Sequence, residues 1–169
     1  KDKDYRVLIK AFSLIAHQHP EWILVIYGDG QERENLENLI KECDLSGRVS
    51  LAGISHDMDF VYQTGAIFVL PSKYESFGLS TVEAMSHGLP AIGFEDCTGT
   101  SEIIKEGVNG TLVQDRTPTS LSKSLEHLIQ HPEIRKKYGD NGHDQSKEFM
   151  LEKCTLAWRK YISSFRSNS

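Results

Sequence analysis

"AIFVLPSKYESFGLSTVEAMSHGLPAIGF", residues 66–94, reads as strand, loop, helix and strand in that order. "AIFVLPS" and "PAIGF" are short apolar, β-prone runs without polar alternation, the pattern of strands covered on both faces. Between them, "LSTVEAMSH" repeats at helical spacing and stops at Gly88, a usual residue for a helix end. Two such strands joined by a helix form a crossover unit, which calls for a parallel sheet.

The same alternation extends outward from about residue 4 to residue 130. "YRVLIKAFSLIAHQ" places Val7, Leu8, Ala11, Phe12 and Ile15 on one helical face, and His19-Pro20 ends it. "WILVIY" is predicted as a strand buried on both faces, followed by the "GDG" turn and the helix "QERENLENLIKECDL". "RVSLAG" is predicted as a strand, "HDMDFVYQTG" as a short helix, "SEIIKEG" as another, and "NGTLV" as a final edge strand. "TPTSLSKSLEHLIQ" opens on a capping Thr117 with Pro118 at the first helical position. "HPEIRKKYGDNGHDQSKEF" and "LEKCTLAWRKYISSF" complete a helical tail, in which Trp158, Tyr161 and Phe165 make a packing stripe. The expected fold is α/β: a Rossmann-like doubly wound parallel sheet with a helical C-terminal tail. One domain is expected over 1–169, with an α/β core at 3–130 and helices at 131–169.

With 169 residues, 38% apolar, the chain is long enough for one good core. Its 19 Lys+Arg against 24 Asp+Glu leave a net charge of −5, which argues against a nucleic-acid partner. Cys43, Cys97 and Cys154 are odd in number and lack metal-ligand spacing, so reduced structural thiols are expected. No apolar run approaches the roughly 20 residues of a membrane-spanning helix.

Doubly wound sheets bind ligands beyond the carboxyl ends of their strands. Three loops belong there, at 28–31, 52–57 and 71–80. The first lacks a dinucleotide fingerprint, because Arg33 stands where a third glycine would be needed. In the last, the amides of Phe77, Gly78, Leu79 and Ser80 stand at the positive end of a helix, suited to phosphate. Glu75 precedes that end and Glu83 lies about 6 Å up the axis from Leu79. Either carboxylate can accept from two neighbouring hydroxyls, as a ribose diol or a hexose presents. The spacing equally allows Glu83 as a solvated residue paired with His87, and Glu75 as a surface acid. No acid is identified to orient His87, and no partner to activate Cys97.

"PSKYESFGLSTVEAMSHGLPAIGF" with "GTSEIIKEGVNGTLV" resembles the donor-binding half of family-four (group 1) retaining glycosyltransferases of GT-B fold, whose signature is the pair of glutamates at 75 and 83. "KDYRVLIKAF", "LVIYGDGQERENLENLI" and "RVSLAGISHDMDFVYQTGAIFVLPS" resemble further stretches of that family, in unbroken order over residues 3 to 130. The resemblance implies that Glu75 holds hydroxyls of the transferred sugar and that Glu83 binds the ribose. It implies that the amides of residues 77–80 receive a diphosphate, that Lys3 stabilises the departing nucleoside diphosphate, and that Ile54 lies by the nucleobase. It implies further that Gly99 falls in a variant loop facing the donor sugar.

The resemblance implies an arginine partner to the lysine and a first strand that are expected before residue 1, and the N-terminal acceptor domain is expected to be absent from the chain. The implied activity is transfer of a hexose or N-acetylhexosamine from a nucleotide-diphosphate sugar, UDP foremost, to a glycan or lipid-linked acceptor, with retention. No metal or other cofactor is expected, and this half alone is expected to turn over little. The setting implied is polysaccharide biosynthesis in the cytoplasm, with peripheral association of the full-length protein at the inner membrane face. A nucleotide-sugar epimerase and a non-catalytic nucleotide-sugar-binding module on the same fold stand as alternatives.

Overall fold

The structure, a computed structural model, describes residues 3–149 and 151–166. Helix α1 (Tyr5–Ile15) leads into β1 (Leu24–Tyr27), α2 (Arg33–Glu42), β2 (Val49–Gly53), α3 (Met58–Thr64) and β3 (Phe68–Leu70). Then come α4 (Leu79–Ser86), β4 (Ala91–Phe94), the single turn α5 (Thr98–Ser101) and β5 (Gly110–Val113). The tail is α6 (Pro118–Gln130), α7 (Pro132–Ser146), a 3-10 turn (Lys147–Phe149) and α8 (Leu151–Arg166).

All strand pairs are parallel, as the crossover pattern requires, but they form two ladders. In one, β1 lies on β2 with Leu24 opposite Val49. In the other, β4 lies between β3 and β5, with Ala91 facing Phe68 on one side and Gly110 on the other. One apolar core serves both ladders: Ile26 and Val49 share it with Ile92 and Phe94, beneath Ile9 and Phe12 of α1 and Leu121 and Leu128 of α6. Burying each of these side chains stabilises the fold by about 1.5–3 kcal/mol.

The expectation that "WILVIY" and "AIFVLPS" are covered on both faces needs correction. Only Ile26 of β1 and Leu70 of β3 are buried, whereas all four residues of β4 are. The difference follows position, because β1 and β3 each have a neighbour on one side only and β4 has one on both. The "NGTLV" segment is an edge strand, as expected.

The helix expected at "SEIIKEG" is displaced toward the N-terminus, to Thr98–Ser101. The fully buried Asn109 accounts for its early end: its carbonyl accepts from the Lys105 amide at 2.8 Å, and its amide donates to the Ile103 carbonyl at 3.1 Å. That side chain takes the backbone groups a longer helix would use.

The helix ends obey their residues. Thr117 caps α6, its hydroxyl accepting from Ser120 N–H at 3.1 Å. Gly88, just past α4, has φ +78°, the left-handed conformation that lets the chain turn out of the helix. There α7 lies flush on the turn, because a Cβ on Gly139 would stand 2.0 Å from the Gly88 carbonyl oxygen.

Candidate functional site

Glu75 is positioned by residues from three parts of the chain. Pro71 and Ser72, at the exit of β3, are buried and anchor the start of the loop. Gly99 packs beneath the loop itself, where a Cβ would come within 2.4 Å of the Glu75 carbonyl oxygen and 2.9 Å of the Phe77 nitrogen. Lys3, two residues ahead of the start of α1, donates from Nζ to Glu75 Oε1 at 2.6 Å.

The Glu75 side chain is 16% exposed. Burial on its own would raise its pKa, but the hydrogen bond and charge of Lys3, with a contribution from Ser72, outweigh it and hold the carboxyl below its ordinary 4.5. Tyr5, close to both, has its hydroxyl pKa pushed up by burial; Lys3 opposes that shift and Glu75 adds to it.

Helix α4 starts beside this pair. Its N-cap is Gly78, at φ +81°, with no side chain to satisfy the first-turn amides. Of those amides Thr81 N–H donates to the Gly78 carbonyl at 2.9 Å, whereas those of Leu79 and Ser80 lack intrahelical acceptors by construction and receive none from the glycine cap. A Cβ on Gly78 would lie 3.2 Å from the Gly99 carbonyl, so the two glycines bring α4, α5 and the Glu75 loop together. Leu79 is 66% exposed at the helix start, and the Phe77 ring meets Phe149 edge-on at 5.5 Å. Ser80 is half-buried.

One turn into α4, Glu83 is exposed and accepts from the Tyr62 hydroxyl of α3 at 3.0 Å. Burial, followed by the bond to Glu83 and its charge, pushes the Tyr62 hydroxyl pKa up strongly, so it remains a donor. His87 is tied to the helix end through Nδ1, 2.9 Å from the Glu83 carbonyl, and its ring lies 5.3 Å from that of Tyr62. The expectation that no acid would face His87 is corrected: Asp59 Oδ1 lies 3.3 Å from its Nε2. Asp59 comes from α3, twenty-eight positions away, where no local pattern signals the contact.

The expected site residues therefore fall into three places. Lys3, Glu75, Phe77, Gly78 and Gly99 come together; Glu83 stands with Tyr62 and His87 on the flank of α4; and Ile54, 72% exposed, follows β2 on the other ladder. The glycine-rich turn at 28–31 joins the Ile54 loop, since Gly28 N–H donates to the Gly53 carbonyl at 2.7 Å. Two concavities of about 300 and 550 Å³ are present, one lined by Arg33, Glu37 and Ser50, the other, at the C-terminal end of α4, by His87, Gly88 and His143. Neither is lined by Glu75 or Glu83; Glu83 is exposed and Glu75 is half-buried.

Among the described residues no three His, Cys, Asp or Glu side chains gather as metal ligands, and no helix is long and apolar enough to cross a membrane. Cys97 is buried and accepts from the Thr100 hydroxyl at 3.4 Å, as a structural thiol would, and Cys43 is free. The side chain of Cys154 lies outside the described residues.

The sequence reading missed Tyr62 and Arg116. Tyr62 carries a weak signal, being a hydroxyl on the otherwise apolar face of a short helix. Arg116 carries another: it is a lone cation in a loop at the carboxyl end of a strand.

The profile of the family described as Glycosyl transferases group 1 matches residues 1–145. A curated relative from Haemophilus influenzae, an uncharacterized glycosyltransferase, is 32% identical over 157 residues, covering 93% of this chain and 44% of its own length. Among solved structures, the C-terminal domain of a group 1 family glycosyl transferase, LpcC, from Francisella tularensis superposes with a TM-score of 0.79 at 24% identity, over 89% of this chain and 81% of that one. Anabaena HepE, solved with UDP, superposes with a TM-score of 0.88 at 23% identity, over 96% of this chain and 46% of that one. The chain spans less than half the length of the curated relatives it matches.

Proposed function

We propose that this chain, which belongs to the group 1 glycosyl transferases, is the donor-binding half of a retaining glycosyltransferase that uses a nucleotide-diphosphate sugar, UDP-hexose or UDP-N-acetylhexosamine foremost. The observation that carries the reading is the 2.6 Å Lys3–Glu75 pair standing beside a helix whose glycine cap leaves its first amides open. A diphosphate set against Phe77, Gly78, Leu79 and Ser80 meets the positive end of α4 and draws Lys3 toward its charge. Glu75, released from Lys3, then turns its lone pairs to hydroxyls of the sugar. Glu83, steadied by Tyr62, takes the ribose diol, and Ile54 lies toward the base. Gly99 keeps the loop beneath the sugar close to α5.

In the transfer step the bond from the anomeric carbon to the phosphate oxygen breaks and its electron pair stays on that oxygen. Lys3 and the α4 amides stabilise the growing negative charge. The acceptor hydroxyl forms its bond to the anomeric carbon on the same face, and its proton passes to the departing phosphate. Glu75 positions the sugar and stabilises positive charge on it; it forms no bond to it. On this reading transfer needs no metal, and chelation leaves the rate unchanged.

The acceptor, a glycan or lipid-linked saccharide, is met by a second lobe of the full-length protein that faces the side of this chain carrying Glu75 and Glu83. That protein works in the cytoplasm, at the inner membrane face where its acceptor is lipid-linked. Calorimetry with UDP and UDP-sugars tests the donor site: Glu83→Ala weakens UDP binding by about tenfold or more, one to two lost hydrogen bonds to a charged group. Equal affinity in Glu83→Ala and the parent chain would refute the assignment.

A further inference from the structure

Arg116 lies in the loop between β5 and α6 and is 16% exposed at its side chain. Its guanidinium lies over the Phe94 ring, Cζ 4.1 Å from the centroid. Nη1 donates to the Pro71 carbonyl at 2.7 Å, and Nη2 to the Ser72 carbonyl at 3.1 Å. Nε and Nη2 also hold the two carboxylate oxygens of Asp96, the former at 3.1 Å. On the remaining side Nη1 faces Asp4 Oδ2 at 3.9 Å, and the same oxygen is 3.6 Å from Lys73 Nζ.

These partners lie on both segments that meet at the site. Pro71 and Ser72 start the loop that carries Glu75, and Asp4 follows Lys3 directly. Asp4 has φ +46°, a left-handed conformation uncommon outside glycine, and its carboxylate is flanked by Arg116 and Lys73. One planar fork thus grips the base of the Glu75 loop and reaches the residue that aims Lys3. Only an arginine does this, because a lysine offers a single ammonium in place of five donors in fixed directions.

We infer that Arg116 is a positioning residue that sets the separation of the Lys3 ammonium and the Glu75 carboxylate. This rests on the donor-site reading for its role in transfer, but the positioning itself is independent of any substrate. A plain fold staple would hold the loop without governing that pair. Arg33 supplies the comparison, since it also joins a carbonyl, Leu51 at 3.0 Å, and a carboxylate, Glu37, but on the other ladder.

The decisive measurement is the titration of the Glu75 side-chain carboxyl, followed by carbon NMR in Arg116→Lys, Asp96→Asn and Arg33→Gln, with circular dichroism to establish that each is folded. Arg116→Lys raises the Glu75 midpoint toward 4.5, Asp96→Asn raises it by less, and Arg33→Gln leaves it in place. In the full-length protein Arg116→Lys lowers kcat for transfer from the UDP-sugar by about 10- to 100-fold, the range expected for a misplaced catalytic group. The donor KM moves much less. If Arg116→Lys fails to fold, Asp96→Asn decides, because it loosens the fork and keeps the arginine. An unchanged Glu75 midpoint in folded variants overturns the inference. A shifted midpoint in a protein that binds no UDP-sugar supports the positioning and refutes the donor site.

Discussion

Gly99→Ala tests whether the Glu75 loop is held as closely as its contacts require. The added methyl would meet the Glu75 carbonyl oxygen at 2.4 Å and the Glu75 carbon and Phe77 nitrogen at 2.9 Å, all of them backbone atoms. Contacts below 3.0 Å are essentially never seen and ordinary ones begin near 3.4 Å, so the loop must retreat from α5 by about 0.6–1.0 Å. No rotamer change can absorb that, and overpacking of this kind costs about 1–3 kcal/mol. For a chain of this size each kcal/mol is worth roughly 2–4 °C, so the melting temperature falls by about 2–12 °C. The retreat also carries Glu75 away from Lys3, which now stands at 2.6 Å. Thermal unfolding and the Glu75 titration report the two effects in the same sample. Gly30→Ala is the comparison, because a Cβ there meets nothing within 4 Å, and it stays within about 0.5 kcal/mol of the parent. If Gly99→Ala melts and titrates like the parent chain, the loop yields freely and the packing account of Glu75 is wrong.

Three further outcomes follow from the same contacts. Glu75 has a folded pKa below its ordinary 4.5, so its contribution to stability is complete above pH 4.5 and is lost as pH falls through the folded value. Because Lys3 is half-exposed, the contribution stays under about 1 kcal/mol; urea unfolding above and below pH 4.5 should reveal it, and Lys3→Ala should remove most of it. Tyr62→Phe leaves Glu83 without its 3.0 Å donor and weakens UDP binding by less than Glu83→Ala does, with a stability loss of about 1 kcal/mol in urea unfolding. Gly139→Ala drives a methyl to 2.0 Å from the Gly88 carbonyl and separates α7 from α4, lowering the melting temperature while Glu75 titrates as in the parent.

What could be read from the sequence is what depends on near neighbours in the chain. The apolar runs gave away the parallel strands, and Gly88 and Thr117 the helix ends, because helical period, left-handed glycine and a capping hydroxyl act within a few residues. Glu75, Gly78 and Glu83 were visible for the same reason, sharing one helix start. The break into two ladders was not, since nothing in "WILVIY" or "AIFVLPS" says which strand finds a partner on each side. Thr98–Ser101 was misplaced because Asn109 reaches back to Lys105 and Ile103 and competes for their backbone groups.

The ties that aim the site cross much longer intervals. Lys3 meets Glu75 over 72 positions, Arg116 meets Pro71 over 45, and Tyr62 meets Glu83 over 21. Such contacts exist only once the crossover units have stacked against one core, so no local spacing encodes them. This also explains their chemistry. A short loop cannot hold a carboxylate still by itself, and the partners that hold Glu75, a lysine ahead of α1 and a glycine in α5, come from distant parts of the chain. Loss of either partner should therefore disturb Glu75 before it disturbs the sheet, and the order of those two losses on acidification or mutation distinguishes a built site from an ordinary surface acid.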